Sequence, residues 1–176
     1  LRALVRTGAD YGLNMEVSSA AVRANEVPTK TLIAHMEKDL GGLGDKLIAV
    51  WGLAFKPKTD DVREAPGIKM IAELVARGAR VRTTDPQARE TARESMTAMG
   101  LMDRVEILDS EYETCRGADA LLLATEWNEY RNPEFPRVRE LMRGRHVFDG
   151  RNMCVPSAVV AAGLAYRGMG RPILGY

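Results

Sequence analysis

Apolar and polar positions change their period along this chain, and the changes mark its elements. Between residues 16 and 40 apolar residues recur in steps of three and four: Val17, Ala20, Ala21, Ala24 and Val27, then Leu32, Ile33, Met36 and Leu40. That spacing predicts one long amphipathic helix. Pro28 lies inside it with no N–H to donate, so a kink or a short break is expected there. Gly41-Gly42-Leu43-Gly44 ends it. Upstream, residues 1–6 read as the tail of a helix stopped by Gly8 and Gly12. From Leu47 onward, short apolar runs alternate with amphipathic segments. The runs at 47–51, 79–84, 105–108, 118–125 and 146–149, and a weaker one at 164–166, read as strands. Leu121-Leu122-Leu123 is continuously apolar, as in a central parallel strand. Residues 65–77, with Ile68, Ile71, Ala72, Leu74 and Val75 inward, read as a helix, as do 88–99, 134–142 and 156–162. Ser110 is placed to cap a brief helix at 111–116, and residues 168–176 read as loop.

Strands alternating with helices predict an α/β fold: a doubly wound, mostly parallel, Rossmann-like sheet of about six strands. Two parts follow, 1–44 with the end of one helix and the long helix, and 45–176 as the α/β domain. Hydrophobic residues at 45% and charged residues at 28% of 176 are ordinary for a soluble globular chain with one sizeable core. Lys+Arg 25 against Asp+Glu 24 leaves a net charge of +1, so bulk charge argues for neither a nucleic-acid nor a membrane partner. LRALVRTGAD lacks the apolar stretch of a signal peptide, and no run is long and apolar enough to span a bilayer. Cys115 and Cys154 have no CxxC spacing and fit reduced thiols of a cytoplasmic protein, a disulfide being the lesser alternative. The chain starts at Leu1 in what reads as mid-helix, so a fragment of a longer protein is expected.

A parallel sheet places its ligand at the carboxyl ends of the strands. Those ends carry Phe55 and Lys56, Asp85-Pro86, Thr125-Glu126-Trp127 and Asp149-Gly150-Arg151-Asn152. Lys56 and Arg151 suit phosphate oxygens, Phe55 or Trp127 offers a stacking face for a base, and Gly52 and Gly150 would let backbone come close to a ligand. Against this stand plainer readings: a strand-end Lys or Arg is more often solvated, and the alternative for Trp127 is a plug at the sheet's edge. Asp85 mimics the acid that holds a ribose, but Gly52-Leu53-Ala54-Phe55-Lys56-Pro57 lacks G-x-G-x-x-G, so Asp85 reads as a turn and cap residue. Asp60-Asp61, beside Lys56, Lys58 and Arg63, reads as an internally neutralised loop rather than a metal or acid/base pair. Glu64 reads as an acid for the first turn of the next helix. His35 and His146 lack partners at ligand or triad spacing, neither cysteine sits as a nucleophile would, and no complete catalytic constellation is visible.

The stretch from Gly52 to Pro66, GLAFKPKTDDVREAP, resembles the signature G-L-x-F-K-x-x-T-D-D-x-R-E-S-P of the UDP-glucose/GDP-mannose dehydrogenase family, in its C-terminal UDP-binding domain; only Ala65 replaces serine. Thr84-Asp85-Pro86, Thr125-Glu126-Trp127, Phe148-Asp149-Gly150-Arg151-Asn152 and, on the long helix, Asn25-Glu26 are similar to further family motifs, in order. The Thr-Glu-Trp and Asp-Gly-Arg-Asn forms resemble the UDP-glucose 6-dehydrogenase branch more than the GDP-mannose or UDP-N-acetylmannosamine branches. The resemblance implies oxidation of UDP-glucose to UDP-glucuronate with two NAD+, through a cysteine motif and an NAD-binding domain that this chain does not carry, so the fragment alone is expected to be inactive. It implies that Phe55 and Lys56 contact the UDP-sugar, that Arg151 contacts the UDP portion and that Arg63 reaches NAD. It also implies that the helix around Glu16–Leu40 is a central, dimer-forming helix. The alternative is a non-catalytic interaction module in which the apolar stripe from Val17 to Leu40 mediates dimerisation.

Overall fold

A computed structural model of the chain describes residues 1–175. Six strands form one all-parallel sheet in the order β3-β2-β1-β4-β5-β6. They are β1 (Leu47–Trp51), β2 (Arg80–Thr84), β3 (Val105–Ile107), β4 (Ala120–Leu123), β5 (His146–Asp149) and β6 (Ala165–Gly168). Seven helices flank them: α1 (Arg2–Asp10), α2 (Glu16–Leu40), α3 (Pro66–Ala76), α4 (Arg89–Ala98), α5 (Glu111–Cys115), α6 (Phe135–Leu141) and α7 (Pro156–Ala161). The doubly wound α/β fold is therefore present, with strand order reversing between β1 and β4. Those two central strands are buried from Ile48 to Trp51 and from Ala120 to Leu123, because helices cover both faces of a parallel sheet.

Helix α2 keeps the bounds read from its periodicity, and the expected break at Pro28 is absent: the helix runs through it. Proline removes one hydrogen bond, to the carbonyl of Ala24, but both residues are exposed, so the lost donor leaves no buried polar group unpaired. The end is firm. Gly42 N–H donates to Glu37 O at 2.8 Å and Gly41 N–H to Lys38 O at 3.3 Å, a Schellman closure with Gly41 at φ 68°. Only the second half of the apolar stripe is used by the core, through Leu32, Ile33 and Met36; Val17 is 85% and Val27 59% exposed. The same half is tied to β6 by a two-pronged ion pair. Arg167 Nε and Nη2 donate to Asp39 Oδ2 and Oδ1 at 2.5 and 2.9 Å, with side chains 14% and 8% exposed.

Other local expectations need correction. Gly8 does not stop α1, which runs to Asp10; it is buried against Met15, where a side chain would not fit. Ser110 holds the N-cap position of α5 without a side-chain hydrogen bond; α5 is held instead by Trp51, whose indole N–H donates to Thr114 Oγ1 at 2.8 Å and Glu111 O at 3.0 Å. An unforeseen 3-10 turn, Asn128–Tyr130, buries Tyr130 against Trp51 with ring centroids 5.2 Å apart. Part of the expected terminal loop pairs with β6 through Tyr166 and Leu174, while Tyr176 lies outside the described residues.

Candidate functional site

The loops leaving β1, β2, β4 and β5 gather at the carboxyl edge of the sheet. The expectation that backbone comes close to a ligand is corrected for Gly52, which serves internal packing; Gly150 is packed as well but also lines the groove described below. A Cβ on Gly52, which has φ 103°, would lie 2.5 Å from Thr125 Cβ, and one on Gly150 would lie 2.9 Å from Leu123 O. Gly67 belongs to the same joint, because a Cβ there would overlap the Gly52 carbonyl oxygen. That carbonyl packs against the first turn of α3, where a dinucleotide fold would seat a pyrophosphate. Together with the missing G-x-G-x-x-G, this means the chain's own βα turn does not fit a dinucleotide.

Loop 52–65 is closed by its own groups and by α4. Phe55 N–H donates to Asp61 O at 2.8 Å, and Thr91 on α4 donates to Asp60 O at 2.7 Å. Asp61 accepts from Arg63 through the backbone N–H (3.0 Å), Nε (2.9 Å) and Nη2 (2.8 Å). Hydrogen bonding from the Arg63 side chain, then from its backbone, lowers the Asp61 carboxyl to about 2, with Lys56 adding to the field. The internally neutralised loop is thus borne out for Asp61 and Arg63. Glu64 departs from expectation. It lies outside α3, at φ 57°, and pairs with Lys69 at 2.5 Å and Arg2 at 3.3 Å. The Lys69 bond holds its carboxyl below the usual range.

Two fully buried aspartates brace this rim. Asp85 Oδ2 accepts from Leu53 N (2.8 Å), Ala54 N (3.0 Å) and Trp127 Nε1 (3.0 Å), and Oδ1 from Gln87 N and Ala88 N, both at 2.9 Å. Asp85 is a turn residue as expected, but it does not cap α4, which begins at Arg89 after Ala88. Trp127 is 4% exposed with its indole N–H engaged, so it plugs the edge and offers no stacking face. Asp149 Oδ1 accepts from Arg151 N at 3.0 Å; its Oδ2 accepts from Cys154 N at 2.9 Å and the Tyr166 hydroxyl at 3.1 Å. Neither thiol has nucleophile chemistry. Burial pushes Cys115 up to about 12 and Cys154 higher, and both are free and buried.

Of the four residues singled out from sequence, Phe55 and Arg151 share a groove of about 1120 Å³. The facing side of α2 adds Asn25, Thr29 and Lys30. Phe55 is 46% exposed, enough to meet a flat ligand. Arg151 Nε is paired to Glu126, a partner that the sequence reading did not single out, although it lies inside Thr125-Glu126-Trp127. Lys56 is exposed on the loop next to Phe55 but does not line the groove. Arg63 lies in a second cleft, about 870 Å³, between the loop and α4. Among the described residues no cluster of three His, Cys, Asp or Glu could hold a metal ion, and no helix is long and apolar enough to cross a membrane.

Comparison with known proteins gives a consistent answer. Residues 49–156 match the UDP-glucose/GDP-mannose dehydrogenase family, UDP binding domain. A UDP-glucose 6-dehydrogenase from Pseudomonas aeruginosa is 37% identical over 178 aligned residues, covering 100% of this chain and 39% of the relative. The structure of a UDP-glucose dehydrogenase from Pyrobaculum islandicum superposes with a TM-score of 0.76 at 34% identity, covering 94% of this chain and 35% of that one. A UDP-D-ManNAc dehydrogenase from Pyrococcus horikoshii gives 0.63 at 28% identity, over 81% of this chain and 30% of its own. The chain therefore spans about two-fifths or less of the length of these relatives.

Proposed function

The chain belongs to the UDP-glucose/GDP-mannose dehydrogenase family, and from that premise we propose that it is the UDP-sugar-binding part of an NAD-dependent UDP-glucose 6-dehydrogenase. The parent enzyme would oxidise UDP-glucose to UDP-glucuronate with two NAD+. The observation that carries the reading is the groove that unites Phe55 on the β1 loop with Arg151 at the end of β5. An exposed ring and a guanidinium in one groove suit a uracil and its diphosphate: the ring covers a flat face, and the fork, paired here with Glu126, would turn to phosphate oxygens. Lys56, one residue along, adds a mobile positive charge at the rim. Glucose rather than another sugar is supported by the Thr125-Glu126-Trp127 and Asp149-Gly150-Arg151-Asn152 forms and by the names of the relatives. UDP-N-acetylmannosamine and GDP-mannose are the competing substrates. The reacting cysteine and the NAD-binding domain would be supplied outside this chain, and the exposed Arg63, paired at rest with Asp61, would turn toward them. Buried free thiols fit a cytoplasmic location.

The test is calorimetry of this chain with UDP, UDP-glucose and GDP. Weak binding of UDP and UDP-glucose over GDP is expected, with no turnover. Lys56→Ala and Arg151→Ala should each weaken UDP binding by about 1–3 kcal/mol, as for loss of a charge-assisted contact. No heat from UDP at millimolar concentration, with the fold intact, would sink the reading. We also propose that the chain dimerises through α2, supported by the exposed Val17 and Val27 on that helix. Light scattering that gives a monomer at high protein concentration would refute it.

A further inference from the structure

Resting on the reading of the groove as a UDP-sugar site, we propose that Asp85 is the positioning residue of that site, holding its Phe55 and Arg151 walls in register opposite the helices that complete the lining. These two walls come from segments far apart in sequence. Phe55 follows Leu53-Ala54, and Arg151 is paired to Glu126, the neighbour of Trp127. Asp85 Oδ2 takes the backbone N–H groups of Leu53 and Ala54 at 2.8 and 3.0 Å and the Trp127 indole N–H at 3.0 Å. One oxygen atom thereby fixes the backbone just before one wall and the side chain just after the other wall's partner. Thr125 Oγ1 closes the same link by donating to Ala54 O at 2.8 Å. Oδ1, held by Gln87 and Ala88 N–H, anchors the carboxylate to its own turn.

Chemistry excludes a substitute. The site presents five N–H donors to two oxygens, which a carboxylate accepts with no donor of its own. An asparagine has a single acceptor oxygen and would turn an NH2 toward N–H groups, leaving buried donors unpaired. Sequence reasoning assigns Asp85 to its local turn. The contacts to Leu53, Ala54 and Trp127 extend it across the switch between β1 and β4, where strand order reverses.

The experiment uses the whole chain, UDP as probe, calorimetry for affinity and 1H–15N NMR of the two tryptophan indoles. Asp85→Asn should weaken UDP binding about tenfold or more. It should also move the Trp127 indole resonance while that of Trp51, held by Glu111 and Thr114, stays in place as an internal reference. Trp127→Phe keeps the carboxylate and its four backbone donors and should weaken UDP binding about threefold. The double variant should bind like Asp85→Asn alone, because the link is already broken. A folded Asp85→Asn chain with a shifted Trp127 indole and unchanged UDP affinity overturns the proposal, as do two substitutions whose effects simply multiply. If Asp85→Asn does not fold, Trp127→Phe decides alone: wild-type UDP affinity in that variant overturns it. A wild-type chain that binds no UDP removes the underlying reading of the groove, and the proposal with it, before any substitution is compared.

Discussion

Replacing Arg167 by alanine should detach the far end of α2 from the sheet, and its size separates a buried ion pair from a decorative one. Asp39 is the last acid of α2, and its carboxylate receives both prongs of Arg167 at 2.5 and 2.9 Å. With side chains 8% and 14% exposed, solvent screens the pair little. Arg167→Ala leaves the Asp39 charge buried without its partner, and breaking such a pair from one side costs about 3–5 kcal/mol. For a chain of this length each kcal/mol moves the unfolding temperature by about 2–4 °C, so a fall of about 6–20 °C is expected. Removing both charges together is different. Asp39→Leu with Arg167→Met exchanges two desolvated ions for apolar contacts, and its stability should return to near wild type. Urea denaturation of the single and double variants gives the coupling directly. Hydrogen exchange across residues 32–40 should rise in Arg167→Ala and recover in the double variant. A loss below about 1 kcal/mol in Arg167→Ala, the value of an exposed pair, would refute the argument that this contact seats the helix.

Two further outcomes test the loop and the joint beneath it. Gly67→Ala would press a methyl group against the Gly52 carbonyl oxygen; a loss of about 1–3 kcal/mol is expected from overpacking, and an unchanged unfolding temperature would show that β1 and α3 are not in close contact. The Asp61 carboxyl, lowered from 3.8 to about 2 chiefly by the Arg63 side chain, should titrate near pH 2 by carboxyl NMR and move back toward 3.8 in Arg63→Ala. Because the folded value is depressed, the loop contact is fully present above pH 3.8 and is lost as pH falls through 2. A titration midpoint unaffected by Arg63→Ala would contradict it.

The architecture is legible in the sequence because each strand is a compact apolar run bounded by turn residues, and α2 is legible because Gly41-Gly42 closes a long 3.6-residue period. What is not legible depends on partners distant in the chain. Pro28 predicts a break by its own chemistry, and only the fold shows that its lost bond faces water. Trp127 offers a stacking face on paper, but its indole is taken by Asp85, 42 residues away. Phe55 and Arg151 could be paired in advance, since strand ends converge in a parallel sheet. The absence of Lys56 from the groove lining could not be foreseen, because the path of loop 52–65 turns on left-handed backbone at Lys58 and Glu64, neither of which is glycine.

Asp85 and Asp149 end the middle strand of each half of the sheet, β2 within β1–β2–β3 and β5 within β4–β5–β6. These matching positions in the two halves do related jobs: Asp85 gathers three segments onto one buried carboxyl group, and Asp149 ties its own loop to β6. The conformational entropy of these loops is surrendered when the chain folds, not when a ligand arrives. Association at this rim should therefore run at a rate set by diffusion and charge, with no ordering step to wait for. Substitutions along the rim should act on how long a nucleotide stays, and hardly on how fast it comes.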